Sequence, residues 1–219
     1  MERITDAFAW LARDPEWLTK VLIIGLILLI PIAGAINGIG WMLATLDRLR
    51  AGDEVLAPAN LSYIGRGIRL FVVNLVYGLA ILLIAGAVYV PALLIAASQS
   101  QGSANPALVS VAIVLSLLAF SIATLGTLAL NFALPSIVLA TDGEGIAGGL
   151  RVLAVVRRSR INVSNTLIAG LMLIAAGFVG SLGILLCGIG VLFTSAYALA
   201  MQAWIIRSFE LGTAAVKAA

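Results

Sequence analysis

The stretch that decides the fold covers residues 166–206, which read TLIAGLMLIAAGFVGSLGILLCGIGVLFTSAYALAMQAWII. It contains no Asp, Glu, Lys or Arg over 41 positions. A helix needs about 20 apolar residues to cross the roughly 30 Å of hydrocarbon in a bilayer. The stretch can therefore cross twice if it turns in the middle. The run Cys187-Gly188-Ile189-Gly190 predicts that turn, because glycine permits a tight reversal of the chain.

Three further stretches also lack charged residues, namely 21–46, 70–97 and 107–140. Over the whole chain, 62% of residues are hydrophobic and 11% are charged, whereas a soluble domain carries about 25% charged residues. Lipid-facing surface need not be polar, so a bilayer resolves this imbalance. The sequence predicts an all-α, polytopic, integral membrane helical bundle that forms one domain over residues 1–219 and contacts the lipid bilayer.

The first apolar stretch is interrupted by Pro31, Gly34, Asn37, Gly38 and Gly40. Proline removes a backbone donor and clashes with the preceding helical turn. At 26 residues the stretch is too short for two crossings. It is either one kinked crossing or a re-entrant hairpin of two short helices. The chain is thus expected to make about four crossings and to contain one broken or re-entrant segment.

Basic residues help to choose between these topologies, because Lys and Arg favour the cytoplasmic side of a membrane. If every stretch crosses once, the 13 basic residues divide into 5 and 8. If the fourth stretch crosses twice, all 13 lie on one side when the first stretch is re-entrant, and they divide into 10 and 3 when it crosses once. Both of these arrangements place the basic loops and the C-terminus in the cytoplasm and the loop Ser98–Pro106 outside. We prefer the re-entrant version.

Two short interfacial amphipathic helices are also predicted. In the first, Ile4, Phe8 and Leu11 recur at helical spacing, and Asp14 is expected to cap the helix that follows. The second is expected to start at Asp142 and Glu144 and to run past residue 156. Trp41 and Trp204 are expected at headgroup depth. The second helix also supplies candidate contacts to anionic lipid, which are Arg151, Arg157, Arg158 and Arg160.

Groups that support catalysis are scarce in this sequence. The chain has no histidine and one cysteine, Cys187. All ten carboxylates lie outside the four apolar stretches, and no phosphate-binding glycine loop with its lysine is present. We therefore expect no catalytic, cofactor-binding or metal-binding residues and no enzyme activity. The net charge of +3 without a basic, aromatic-rich face argues against a nucleic-acid partner.

Neutral polar side chains are the remaining functional candidates. An asparagine at membrane depth most often makes an interhelical hydrogen bond. Asn37 is the strongest functional candidate among them, because it lies beside a broken backbone that must be buried or face water. The candidate polar and broken-helix residues are Pro31, Gly34, Asn37, Gly38, Asn74 and Asn131.

Small residues four apart let helices approach closely. Ala176 and Gly180 form one such pair in the fourth stretch, and Gly177 and Ser181 form another. They are predicted to pack within the chain or against a partner subunit.

Four runs resemble prokaryotic membrane proteins of the domain of unknown function 4013. They are RDPEWLTK at 13–20, LIPIAG at 29–34, LRAGD at 49–53 and GILLCGIGVLFTSAY at 183–197. The chain departs from the family at Pro58-Ala59-Asn60, where a tryptophan would be expected shortly after the proline. The resemblance implies a protein of the prokaryotic cytoplasmic (inner) membrane and implies no activity.

The leading functional prediction is a non-catalytic accessory or scaffold subunit that packs against other membrane proteins or a second copy of itself. The lack of catalytic chemistry and the small-residue faces favour it. A passive channel or permease for a neutral or lipid-like solute is the first alternative. A membrane-shaping protein is the second.

Overall fold

The computed structural model describes residues 4–99, 105–185 and 190–218. All regular elements in this part of the chain are helical, which confirms the all-α prediction. Short 3₁₀ segments occur at Ile4–Phe8, Trp10–Arg13 and Gly183–Leu185. The α-helices are α1 (Trp17–Ile27), α2 (Ala33–Ala51), α3 (Ile64–Gln99), α4 (Pro106–Leu150), α5 (Val152–Ile161), α6 (Val163–Leu182) and α7 (Gly190–Ala218).

The chain divides into two compact units. Residues 1–73 and 131–219 form the first, and residues 74–130 form the second. The second unit consists of the C-terminal part of α3 and the N-terminal part of α4. The prediction of a single domain stays a prediction.

Helix α7 is the centre of the first unit, where it packs against α6, α2 and α1. Ala196, Ala200 and Ala203 are fully buried, as is Met201, and Phe209 is 1% exposed. Burying alanine leaves little side-chain bulk between helices, so neighbouring backbones can approach α7 closely. Small residues in the fourth apolar stretch are therefore part of the core.

Helices α6 and α7 form an antiparallel pair. A methyl group on Gly180 would lie 3.3 Å from Ala198 Cβ. At the other end of the pair, Asn165 Nδ2 donates to the carbonyl oxygen of Phe209 over 2.9 Å. This arrangement agrees with a double passage of residues 166–206. Apart from Gly190, the predicted turn at 187–190 lies outside the described residues, as does Cys187.

The first apolar stretch is broken, as predicted. Helix α1 ends at Ile27 and α2 begins at Ala33. Pro31 lies in the break, and Ile32 adopts φ 62°, a backbone angle that β-branched residues rarely adopt. Gly34 is needed at this turn, because a methyl group there would lie 2.1 Å from the carbonyl oxygen of Ile27.

The two halves of this stretch run in opposite directions along α7. Gly25 of α1 lies against Leu192, and the ring of Trp17 lies 6.2 Å from that of Tyr197. In α2, by contrast, Gly38 faces Leu199 near the start of the helix. Arg50 reaches Glu210 near its end. The order of these contacts makes α1 and α2 a helical hairpin and not one kinked helix, as the re-entrant alternative requires.

Three described helical segments are long and apolar enough to cross a membrane. They are Ile64–Gln99, Pro106–Leu150 and Val163–Leu185. Helix α7 has 29 residues and sufficient length, but it carries Gln202, Arg207 and Glu210 and is less apolar. Helix α1, with 11 residues, is only about 16 Å long at 1.5 Å per residue.

The N-terminal prediction is wrong in detail. Two 3₁₀ segments replace the expected interfacial α-helix. Trp10 is fully buried because it stacks on Trp204 of α7 with 5.3 Å between ring centroids. Trp204 is only 7% exposed and Trp41 is fully buried, so neither indole lies at a headgroup surface as predicted. Tertiary packing on α7 overrides the local amphipathic pattern.

Asp14 does not cap α1, which begins at Trp17 with Glu16 as its N-cap residue. Its carboxylate is instead 2% exposed and accepts three hydrogen bonds. Lys20 Nζ donates over 2.8 Å, and the backbone N–H groups of Glu16 and Leu56 donate over 2.9 Å each. Burial by itself would raise the pKa of Asp14. These donors outweigh burial, so the pKa is lowered.

The second interfacial helix is predicted to start at Asp142 and Glu144. The helical run of α4 breaks directly after these residues, at Gly145, whose φ of 72° and ψ of −163° are not helical. A short helical segment then leads to Leu150, and α5 begins at Val152. Asp142 therefore lies near the end of the long helix that precedes the break, and it pairs with arginines from other helices.

We expect Gly67→Ala to lower the thermal unfolding midpoint of the purified protein strongly. A methyl group on Gly67 would lie 1.8 Å from the carbonyl oxygen of Ile36, so α2 and α3 would have to separate, at a cost of about 1–3 kcal/mol. Gly65→Ala is the matched control, because a methyl group there meets open space. Equal midpoints for the two variants would contradict the close crossing of α2 and α3.

We expect Asp14→Asn to destabilise the protein by about 2 kcal/mol at pH 7, because an amide cannot accept all three hydrogen bonds. The pKa of Asp14 is lower in the folded protein than in the unfolded chain. Its carboxylate therefore stabilises the fold at pH values above its ordinary pKa of about 4. That stabilisation is lost as the pH falls through the pKa of Asp14 in the folded protein. The difference from wild type in thermal midpoint should therefore shrink below about pH 4. The exposed Asp53→Asn should show neither effect, and a pH-independent difference would contradict this role for Asp14.

Candidate functional site

Asn37 is fully buried on α2, and its side-chain amide is used in packing. Its Nδ2 donates to the carbonyl oxygen of Asn60 over 2.8 Å, and its Oδ1 accepts from the N–H of Tyr63 over 3.1 Å. Both partners belong to the α2–α3 loop, residues 52–63. The geometry therefore favours a structural role for Asn37 over a role in lining a polar path.

Asn37 is the first of three polar groups that face this loop from α2. One turn later, Trp41 Nε1 donates to the carbonyl oxygen of Ala57 over 2.9 Å. After another turn, Thr45 Oγ1 accepts from the N–H of the same residue, Ala57, over 3.2 Å. Spacing of four residues places all three on one helix face. That spacing was visible in the sequence, but nothing in it identified a loop as their partner.

The other asparagine candidates lie on the long helices. Asn74, on α3, belongs to the second unit, and its Oδ1 is buried without a hydrogen-bond partner among the described residues. Asn131, on α4, belongs to the first unit and is half-buried. Their predicted functional role stays a prediction.

The two small-residue pairs of α6 differ in their surroundings. Ala176 is fully buried, and Gly180 faces Ala198 of α7. Gly177 and Ser181 are exposed, and a methyl group on Gly177 would meet open space. The first pair therefore packs within the chain, whereas the second faces outward.

Charged side chains from α2, α3, α4 and α7 meet at one end of the first unit. Arg50 binds Asp142 over 2.6 Å and Glu210 over 3.1 Å. Arg66 binds Asp142 over 3.1 Å and also pairs with Asp47. A guanidinium group has five N–H donors in one plane, so one arginine can bind several carboxylates at once. We call this set the charged cluster, and its members are Asp47, Arg50, Arg66, Asp142, Arg207 and Glu210.

The charged cluster is balanced, with three arginines and three carboxylates. Its central groups are shielded from water, since the side chains of Arg50 and Asp142 are 26% and 19% exposed. Truncating one partner of such a pair leaves the other charge poorly compensated. The ion pairs of the cluster thus connect four helices, α2, α3, α4 and α7. The cluster is not visible in the sequence, because residues that bind each other in it, such as Arg50 and Glu210, are up to 160 positions apart.

A cleft of about 450 Å³ opens beside the charged cluster. Arg50, Asp142 and Glu210 line one part of it, and Arg158 of α5 lines another. Arg158 is half-buried and forms no ion pair with any residue that the structure describes. The remaining lining residues are Leu139, Gly143, Thr213 and Ala214.

The four predicted lipid-contacting arginines are thereby separated. Arg151 is exposed and pairs with Glu144 over 2.9 Å. Arg157 and Arg160 are exposed on α5. Only Arg158 lines the cleft, so the structure does not bring the four together into one basic patch.

The second unit has a groove of about 520 Å³ between its two antiparallel helix segments. Small residues form much of its surface, and Gly126 shows the closeness of the pair, since a methyl group there would lie 3.0 Å from Ile81 Cγ2. The lining residues are Leu82, Ala85, Gly86, Tyr89, Ser116, Leu117, Ala119, Phe120 and Ala123.

No group of three or more Cys, Asp or Glu side chains in the described ranges is arranged to hold a metal ion.

A family model described as "Protein of unknown function (DUF4013)" matches residues 23–189. This match covers both long helices and the broken first stretch, and it agrees with the resemblance read from the sequence. No curated protein and no solved structure is similar enough to match the chain.

We expect Asn37→Leu to lower the free energy of unfolding by about 1–3 kcal/mol, because it removes two hydrogen bonds that tie the part-buried carbonyl of Asn60 and N–H of Tyr63 to α2. Gln202→Leu is the control, since this half-buried amide on α7 has no hydrogen bond among the described residues and should tolerate the change. Thermal unfolding in detergent compares the two. A normal midpoint for Asn37→Leu would contradict the packing role.

Proposed function

This chain belongs to the family of unknown function whose model matches residues 23–189, and we propose that it is a non-catalytic membrane subunit that packs against another membrane protein. Its apolar helices make it a membrane protein. The observation that carries the finer proposal is the small-residue groove of the second unit.

The surface of the second unit suits an apolar environment. In the most apolar window of each long helix, only 11% of residues are buried within the chain. Leu83, Leu94 and Phe120 are 70%, 67% and 71% exposed. Such surface is stable in a bilayer, where lipid tails or partner helices cover it.

The deeper positions of the groove carry small side chains, and its more exposed positions carry large ones such as Leu117 and Phe120. Ala85, Gly86, Ala119 and Ala123 form a shallow concave strip. Association between membrane helices depends on close van der Waals packing, which small residues permit. An apolar transmembrane helix of a partner, with a ridge of larger side chains, is the occupant that we propose for this groove.

The polar groups of the first unit support a non-catalytic role. The carboxylates of the charged cluster are all paired with arginines, and Asn37 uses both groups of its amide in packing. Catalytic sites instead bring together groups that are available to a substrate. A channel lined by Asn37 has correspondingly less support.

The same arrangement supports a cytoplasmic position for the charged cluster, in a prokaryotic inner membrane. Because α1 and α2 form a hairpin, Arg13 and Lys20 return to the α2–α3 loop, where they contact Glu54 and Leu56. That loop follows Arg50 directly. The N-terminal basic residues and the cluster then share one end of the unit, as the positive-inside rule favours.

The test is extraction of the tagged, full-length chain from native membranes in mild detergent, followed by native sizing and mass spectrometry. Wild type should migrate with a stoichiometric membrane protein. Gly86→Leu fills the groove and should reduce recovery of that partner by about tenfold. A methyl group on Gly86 meets open space, so the chain itself should tolerate the change.

Gly78→Leu provides the matched control for this experiment. Gly78 lies on the same helix, also faces open space, and does not line the groove. It should recover the partner like wild type. A wild-type chain that migrates alone or only with itself would overturn the proposal, as would full recovery of the partner by Gly86→Leu.

A further inference from the structure

Arg158 is a cation in a partly enclosed site that has no counter-charge of its own. It is half-buried beside the buried Val155, lines the cleft next to the charged cluster, and pairs with no carboxylate in the described part of the chain. Arg151, by contrast, has Glu144 as its partner. A guanidinium that lines an open cleft without a bound carboxylate is available to an anionic ligand.

The charges around the cleft indicate the charge of that ligand. The two carboxylates that line it, Asp142 and Glu210, are each bound by arginines of the charged cluster. Because the cluster by itself is neutral, Arg158 adds one uncompensated positive charge. A ligand with a single negative charge would complete the site.

The position of α5 points to the source of that ligand. Val152, Leu153 and Val156 are 54%, 82% and 38% exposed and occupy one side of the helix. In a membrane protein, such an exposed apolar face contacts acyl chains at the interface. Arg158 lies on a different side from these residues, next to the packed face. Arg160 is exposed on the same side as these apolar residues, so this face of α5 carries both apolar and cationic groups, as an interfacial helix does. An interfacial position of α5 would place the cleft at the depth of lipid headgroups.

We infer that this cleft binds one anionic phospholipid through its phosphate, with Arg158 as the phosphate ligand. Guanidinium groups bind phosphate oxygens with two parallel hydrogen bonds. A cleft of about 450 Å³ is larger than an inorganic phosphate and is within the range of about 300–1,000 Å³ seen for small-ligand sites. It can therefore also hold the glycerol part of a headgroup. This inference does not depend on a partner in the groove of the second unit.

The experiment is native mass spectrometry of the full-length chain in detergent, titrated with phosphatidylglycerol or with phosphatidylcholine. Wild type should retain one phosphatidylglycerol and bind phosphatidylcholine at least about tenfold more weakly. Arg158→Gln should weaken phosphatidylglycerol binding by about tenfold, and Arg158→Lys should lie between the two. Arg157→Gln, an exposed change on the same helix, should stay within about twofold of wild type.

Thermal midpoints of all variants are measured without added lipid, so that a loss of binding is not mistaken for unfolding. Equal phosphatidylglycerol affinities for Arg158→Gln and Arg157→Gln would overturn the inference. Equal binding of the two lipids by wild type would overturn it as well, because the site would then not respond to charge.

Soluble glycerol phosphate and inorganic phosphate, added at millimolar concentration, distinguish the lipid from a free phosphate. Failure of both to displace phosphatidylglycerol supports a lipid ligand. Displacement that is lost in Arg158→Gln supports the phosphate chemistry and assigns it to a soluble anion, which overturns the lipid assignment.

Discussion

Close packing on α7 is the constraint on which the first unit depends. Its buried alanines bring α6, α2 and α1 within reach of one helix, and the contacts of Gly180, Gly38 and Gly25 show how little space separates them. Apolar surface drives helix association only weakly inside a bilayer, since lipid tails are equally apolar. Shape complementarity between small residues therefore determines which helices pair.

Packing alone would leave the ends of this bundle with unpaired polar groups. Backbone groups of the α2–α3 loop form hydrogen bonds with the side chains of Asn37, Trp41 and Thr45, which lie on one face of α2. Asp14 adds a buried carboxylate that holds the N-terminal segment to the same loop. These contacts pair backbone groups of the loop that α2, α3 and the N-terminal segment share, so the loop is fixed to the bundle.

The two functional proposals rest on the places where the structure leaves a surface or a charge without an internal partner. The groove of the second unit presents small residues where larger ones would fill the space. Arg158 presents a cation beside a cluster whose own charges are already balanced. The groove is proposed to bind a transmembrane helix of a partner protein, and the cleft beside Arg158 is proposed to bind a lipid headgroup.

The class of protein was decided by the sequence alone. Four uncharged stretches and the glycines and proline at 31–40 predicted an all-α membrane protein with a broken first segment, because a bilayer tolerates few charges and proline interrupts a helix. The family was recognisable from its local motifs for a related reason, since they mark breaks and turns that the fold requires.

Only the tertiary structure decided what the polar residues do. Asp142 has the sequence pattern of a helix-start acid, but it lies within α4 and binds Arg50 and Arg66 from two other helices. Trp41 and Trp204 have the pattern of interfacial residues, yet both are buried in the core. The periodicity of apolar residues in the sequence shows which side of a single helix is apolar and which is polar. A hydrogen bond or ion pair between residues far apart in the chain depends on which faces meet, and that is a property of the folded bundle.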